Sequence, residues 1–381
     1  MSIYLDHNAT TPMLPEVAEA MNQCWRAGPL NPSSQHSFGR RARQMIDSAR
    51  ETIGQLLGAV VDRFDGDKVI FTSGGTEANH LALAGLVDDP PGHVIISTIE
   101  HPSLLGAADQ LRQRGFDVSY LPVDRRGVVE VARLDELLRP DTRLVSVMLG
   151  NNETGVLQPL AEVVERCARD HVPVHTDAVQ VAGKLPIDFR ALGVAAMTLN
   201  AHKLHGPVGV GALVVRGGQS LKPLWVGGFQ QGALRPGTEG VALAVGFRTA
   251  LELWNHDQVA RSKRLATLRD RFESRLVEKC PQVVINGSEV SRLPHTSNVA
   301  FPGLDRQALV MALDLAGVAC STGSACASGS SEPSHVLTAM KLAREIVEGS
   351  LRFSLGVTTT EVEIDAAVET IARVVQGPAF R

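Results

Sequence analysis

A chain of 381 residues is long enough for two to three domains and buries enough surface to be stable without disulfides or structural metals. Its composition, 44% hydrophobic and 20% charged, excludes a disordered chain, and 35 glycines without a triplet period exclude a collagen-like one. A net charge of −4 provides no basic field for nucleic acid or an anionic membrane, and no apolar run approaches the ~20 residues that span a bilayer.

In chain order, the first dozen residues carry no basic-then-apolar leader pattern, so no secretory signal is expected. From about residue 40 to 215, short β-like runs alternate with helix-length stretches, the pattern of an α/β domain with a mostly parallel sheet. Seven strands are expected, at 69–72, 94–97, 118–121, 144–148, 172–175, 196–199 and 211–215, with helices such as 77–86, 103–114 and 160–169 between them. Pro102 and Pro159 stand where a first helical turn tolerates a missing N–H. Residues 240–280 read as one long helical spine leading into a smaller C-terminal domain. The last segment, 304–381, reads as helix, loop, helix, strand and helix. The expected division is a large domain over 15–255 and a small α+β domain made of 1–14 and 256–381.

The five cysteines, Cys24, Cys167, Cys280, Cys320 and Cys326, are odd in number and scattered, with no Cys/His grouping at zinc spacing. Neither a disulfide framework nor a metal site is expected, and a reducing cytoplasm is the expected setting.

Four local patterns carry chemistry. Thr72-Ser73-Gly74-Gly75-Thr76-Glu77 follows a strand and opens a helix, where backbone N–H groups and the helix dipole suit a phosphate. The plainer reading is a strand–helix turn with Thr76 as N-cap. Asp177 stands at the C-terminal end of a strand, the edge where α/β folds bind ligands; alternatively it caps the next helix. Lys203, between His202 and His205 and before Gly206-Pro207, is either a solvated loop lysine or an amine activated toward carbonyls. Residues 321–333 are mostly small and polar and are expected to form a mobile loop with the reactive Cys326 in its middle. A phosphate cradle, a strand-end Asp and a loop Lys together suggest pyridoxal phosphate (PLP). Lys203 would form its Schiff base and Asp177 would hold its pyridinium nitrogen.

These motifs resemble the cysteine desulfurases, a branch of the class V aminotransferases among the fold-type I PLP-dependent transferases. The likeness runs from Tyr4-Leu5-Asp6-His7-Asn8-Ala9 through Asn31-Pro32, Glu100-His101, Asn151-Asn152-Glu153-Thr154-Gly155 and Arg235-Pro236-Gly237-Thr238 to Leu351-Arg352-Phe353. The resemblance implies that Lys203 carries PLP, Asp177 partners its nitrogen, His101 stacks over the ring and moves protons, and Asn152 and Gln180 meet the ring hydroxyl. It gives the phosphate to Gly75, Thr76, His202 and Asn200, with Thr238 reaching in from a neighbouring subunit of a homodimer. Asn31 and Arg352 would bind the carboxylate of the substrate L-cysteine, and Cys326 would accept its sulfur as a persulfide. The loop looks like that of the group feeding iron–sulfur cluster assembly and tRNA thiolation, so a sulfur-acceptor protein is implied, and Cys326 could touch a transferred cluster. Asn200 stands where the family has Ser or Thr, residues 227–234 carry Phe229 and Gln231 in place of Gly and Glu, and the chain ends at Arg381 without the family's docking extension. The alternatives are selenocysteine lyase, another PLP-dependent β-elimination, or a non-catalytic PLP-binding protein.

Overall fold

Burial on both faces makes a strand apolar at every position, and the two faces of such a strand feed separate layers. The strand Gly211–Val215 shows this. Ala212 and Val214 join one core cluster, while Leu213 and Val215 join another with Ala78, Leu81 and Ala82 of a covering helix. The computed structural model describes residues 2–61, 63, 65–87, 90–323, 332–377 and 380. Its first elements are β1 (Ile3–Tyr4), α1 (Pro15–Arg26), α2 (Ser37–Leu56), β2 (Lys68–Thr72), α3 (Gly75–Gly85), β3 (His93–Ser97), α4 (Pro102–Gln113) and β4 (Asp117–Leu121). Then come α5 (Val131–Leu137), β5 (Thr142–Ser146), α6 (Leu160–Arg169), β6 (Val174–Asp177), α7 (Phe189–Leu192), β7 (Ala196–Asn200), β8 (Gly211–Val215), α8 (Val241–His256) and α9 (Gln258–Lys279). The last are β9 (Val284–Asn286), β10 (Thr296–Ala300), α10 (Arg306–Leu315), β11 (Val318–Ala319), α11 (His335–Ala339), α12 (Arg344–Glu348), β12 (Ser350–Ser354) and α13 (Glu361–Val375).

The main sheet has seven strands in the order β2-β8-β7-β6-β5-β3-β4. Only β8 runs against its neighbours, antiparallel to both β2 and β7, so β2 points the same way as the parallel set. The carboxyl ends of β2, β3, β5, β6 and β7 therefore share one edge. The chain leaves β3 outward to β4 and returns to β5 on its other side, which makes a topological switch point of the kind where α/β sheets bind ligands. A second sheet, β12-β10-β9, is antiparallel, and β1 pairs in parallel with β11. The α/β class with a mostly parallel seven-stranded sheet is thus as the sequence implies.

Local deviations have local causes. β6 starts at Val174 rather than 172, because Pro173 offers no ladder N–H. β5 ends at Ser146, and the apolar run continues as Val147 and Met148 into the cleft loop. Thr76 is not an N-cap; α3 begins at Gly75, with Gly74 before it. Pro102 is the first residue of α4, whereas Pro159 sits one place before α6. The expected single spine is two helices, α8 and α9, parted at Asp257, whose backbone leaves the helical region (φ −127°, ψ 31°).

Candidate active site

Each strand that ends on the shared edge delivers a polar side chain or a backbone N–H to one cleft of about 470 Å³. Gly75 and Thr76 come from the turn after β2, His101 follows β3, Asn152 follows β5, Asp177 closes β6, and Asn200, His202 and Lys203 follow β7. Val179 and Gln180, just beyond β6, and Arg352 of β12 complete this wall.

The cradle at β2 depends on close backbone approach. A Cβ on Gly211 of β8 would lie 2.6 Å from the carbonyl carbon of Gly74, so only glycine lets this turn sit against the sheet. The first helical bond of α3 is Ala78 N–H to Gly74 O, 3.1 Å, which leaves the N–H groups of Gly75, Thr76 and Glu77 without acceptors inside the helix. A Cβ on Gly75 would press on Asn200 Nδ2 and Val179 Cγ2 at 3.3 and 3.2 Å, so the cradle is already close-walled.

Lys203 closes a single 3₁₀ turn, Ala201–Lys203, and the chain then takes a left-handed residue at His205 (φ 63°). That reversal is held by Thr11, whose Oγ1 accepts from His205 N–H at 2.7 Å, and by Pro12 O, 2.7 Å from His205 Nδ1. Lys203 Nζ donates to the carbonyls of Asn8 and Ala9, each at 2.6 Å. Behind it, the buried Lys184 donates from Nζ to Lys203 O at 2.8 Å. Burial and the Lys203 charge lower the Lys184 amine to about 7. His202 is lowered to about 4 by burial and by the two lysines.

Asp177 accepts from Val179 N–H at Oδ1 (2.9 Å) and from Asn79 Nδ2 at Oδ2 (2.8 Å). His101 caps α4, its Nδ1 accepting from Ser103 N–H at 3.1 Å. Burial holds its basicity below the ordinary histidine value; Asp177 opposes this, and Lys203, His335 and Arg352 add to it. The neighbouring Glu100 carboxyl is pushed up to about 8 by burial, despite hydrogen bonds from Ser97 Oγ and Met148 N–H. Arg352 is almost fully buried; it donates to Asp6 Oδ1 at 2.7 Å and to Asn152 O at 3.2 Å.

Ten of the residues singled out from the sequence thus meet in one place: Lys203, His101, Asp177, Gly75, Thr76, Asn152, Gln180, Asn200, His202 and Arg352. Asn31 and Thr238 do not line the cleft of their own chain and are exposed. Cys326 lies outside the described residues. The four described cysteines are free, and burial raises each thiol, Cys167 and Cys320 to about 12. Sequence reasoning missed the carbonyls of Asn8 and Ala9, the Asn79–Ser103 pair, Lys184 and Asp6. Of these only the Asp6–Ala9 run carried a signal, as part of a shared motif.

Orphaned polar atoms test whether the cleft fits PLP. Among the described residues, the donor Arg352 Nε and the acceptor Gln180 Oε1, both of residues that line the cleft, are buried without a hydrogen-bond partner. A buried donor or acceptor left unmade costs about 1–3 kcal/mol, so these atoms call for a polar ligand. Helical N–H groups for a phosphate, a carboxylate facing a cationic ring nitrogen and an amine for an aldehyde are the donor set PLP requires. The residues fit.

Residues 3–367 match the family model described as aminotransferase class-V. A cysteine desulfurase IscS of Dictyoglomus turgidum is 41% identical, over 98% of this chain and 94% of that protein. A NifS-like protein of Rickettsia africae, known from its X-ray structure, superposes with a TM-score of 0.90 at 33% identity, covering 99% of this chain and 100% of that one. The structure described as SspA in complex with cysteine gives 0.81 at 32% identity, covering 93% and 99%. With the fold, the cleft and these relatives in agreement, the chain belongs to the PLP-dependent class-V aminotransferase family and, within it, to the cysteine desulfurases.

Proposed function

We propose that this protein removes the sulfur of L-cysteine, leaves L-alanine, and passes the sulfur on from Cys326 as a persulfide. The observation that carries this reading is the single cleft where Lys203, Asp177, His101 and Arg352 converge. Bound there, PLP supplies an electron-poor ring joined to the substrate amine, which acidifies the Cα–H bond. Gly75 and Thr76 N–H groups, Asn200 and His202 would hold its phosphate, Asn152 and Gln180 its hydroxyl, and Asp177 its ring nitrogen. Lys203 would anchor the group, and its amine would move the Cα proton. Arg352 takes the substrate carboxylate, for which its buried Nε–H has no protein acceptor among the described residues. His101, which lines the cleft, would lie beside the ring and would move a second proton. As thiolate, Cys326 attacks the substrate sulfur; the S–S bond forms as the Cβ–S bond breaks, and protonation of carbon completes alanine. Burial of the other four thiols supports Cys326 as the acceptor.

The working unit in this reading is a homodimer, with Thr238 completing the partner's phosphate site. Thr238 is exposed in its own chain, and the same segment exposes Val226 and Phe229 at 98% and 91%, apolar surface that a second copy would cover. Asn31, exposed on its own chain, is kept with Arg352 as a substrate contact on the family likeness alone. A division near residue 255 is supported by the helix break at Asp257. The sulfur goes to an acceptor protein for cluster assembly or tRNA thiolation in the cytoplasm. Incubation with L-cysteine is expected to yield alanine and one added sulfur on Cys326 by mass spectrometry. Alanine formed at the parent rate by Cys326→Ala would refute the persulfide route.

A further inference from the structure

Two buried side chains in the wall of the cleft, given no role above, link two that have one. Asn79, on the second turn of α3, uses both hydrogens of its amide nitrogen, one to Asp177 Oδ2 at 2.8 Å and one to Ser103 Oγ at 2.9 Å. Ser103 Oγ lies 2.8 Å from His101 Nδ1, and the Ser103 backbone N–H donates to the same nitrogen. Both side chains are buried, Asn79 at 1% and Ser103 at 8% exposure.

The direction of every bond in this chain is forced. A carboxylate only accepts, so Asn79 must turn its NH₂ toward Asp177. The same nitrogen then donates to Ser103 Oγ, leaving the serine proton free to point onward. Ser103 N–H already requires His101 Nδ1 to be an acceptor, and the serine hydroxyl donates there too. A neutral imidazole carries one proton, so it resides on Nε2.

We propose that Asn79 and Ser103 are positioning residues that lock His101 as its Nε2–H tautomer: the Asp177 carboxylate fixes which way the Asn79 amide faces, and the same amide nitrogen, through Ser103, fixes the proton on the imidazole. In this state His101 presents a proton donor rather than a base to whatever meets Nε2. Protonating Nδ1 breaks the Ser103 hydroxyl bond and sets two N–H groups against each other. The charged groups that face His101 are Asp177 of β6, Lys203 after β7, His335 of α11 and Arg352 of β12. Of these, Asp177 alone favours the imidazolium. Use of this tautomer in turnover rests on the placement of His101 proposed above; the tautomer itself rests only on the geometry.

The test is ¹⁵N NMR of the histidine-labelled holoenzyme across pH, with His101 assigned by loss of its signals in His101→Gln. The parent is expected to show Nε2 protonated and Nδ1 bare. Ser103→Ala, with parent-like PLP absorbance and circular dichroism, is expected to raise the His101 titration by about one pH unit, the loss of one neutral hydrogen bond. Ser103→Thr restores the parent value. Asn79→Ala shifts it the same way by less, and the double variant matches Ser103→Ala alone, because Asn79 acts through the serine. A protonated Nδ1 in the parent, an unmoved titration in Ser103→Ala, or additive shifts in the double variant would each overturn the proposal. If the tautomer is as stated but His101→Gln turns over normally, the catalytic placement of His101 fails and this inference stands.

Discussion

Lys184 allows the electrostatics behind the site to be measured. Its amine is buried, bonded only to the carbonyl of Lys203 among the described residues, and lowered from 10.5 to about 7, first by burial and then by Lys203. Between those values the unfolded chain holds this proton and the native chain does not. Native stability from this group is therefore fully depressed below pH 7, recovers as pH rises, and is whole above 10.5. Lys184→Met removes the titration. Its stability relative to the parent is expected to be most favourable near pH 7 and to decline toward pH 10 by at most about 1.4 kcal/mol per unit, on the order of 3–5 kcal/mol in all. Urea unfolding of both proteins at four pH values, with equal added PLP, reads the difference, in which shared cofactor effects cancel. A constant difference across that range, or one growing in Met's favour with pH, would refute a buried, deprotonated Lys184.

Arg352→Lys keeps one charge but loses the fork, so the KM for cysteine is expected to rise about 10- to 100-fold with kcat less affected, read from steady-state alanine release. Gly211→Ala places a Cβ against Gly74 and Leu199 O at 2.6 and 2.7 Å, which must displace the cradle turn. PLP titration by absorbance should show weaker cofactor binding, and parent-like affinity would contradict the cradle. Thr360→Ala breaks the capping box with Glu363 at the start of α13 and should cost about 1 kcal/mol in urea unfolding while leaving turnover unchanged.

The sequence made legible what lies at strand ends. Asp177 closes a strand, His101 and Lys203 lie within four residues of a strand end, and a parallel sheet sends such ends to one edge. Strand limits moved by one residue at β2, β3, β4 and β7 and by two at β5 and β6, where β5 starts at Thr142 and β6 runs from Val174 to Asp177. Asn79 was invisible because a polar residue inside a helix usually faces water, and only the tertiary fold turns this one toward Asp177. The pairing of Lys203 with Asn8 and Ala9 spans some 195 residues of sequence, beyond the reach of periodicity or spacing. Asn31 and Thr238 were named from family likeness, and neither lines the cleft of its own chain.

The strap that receives Lys203 has a consequence for biogenesis. Residues 3–8 are tied to the far end of the chain: β1 pairs with β11, and the Asn8 N–H donates to Ser354 Oγ at 2.8 Å. An early stretch thus waits for one made some 350 residues later. A nascent polypeptide finishes the surroundings of its lysine only after residue 354 has emerged.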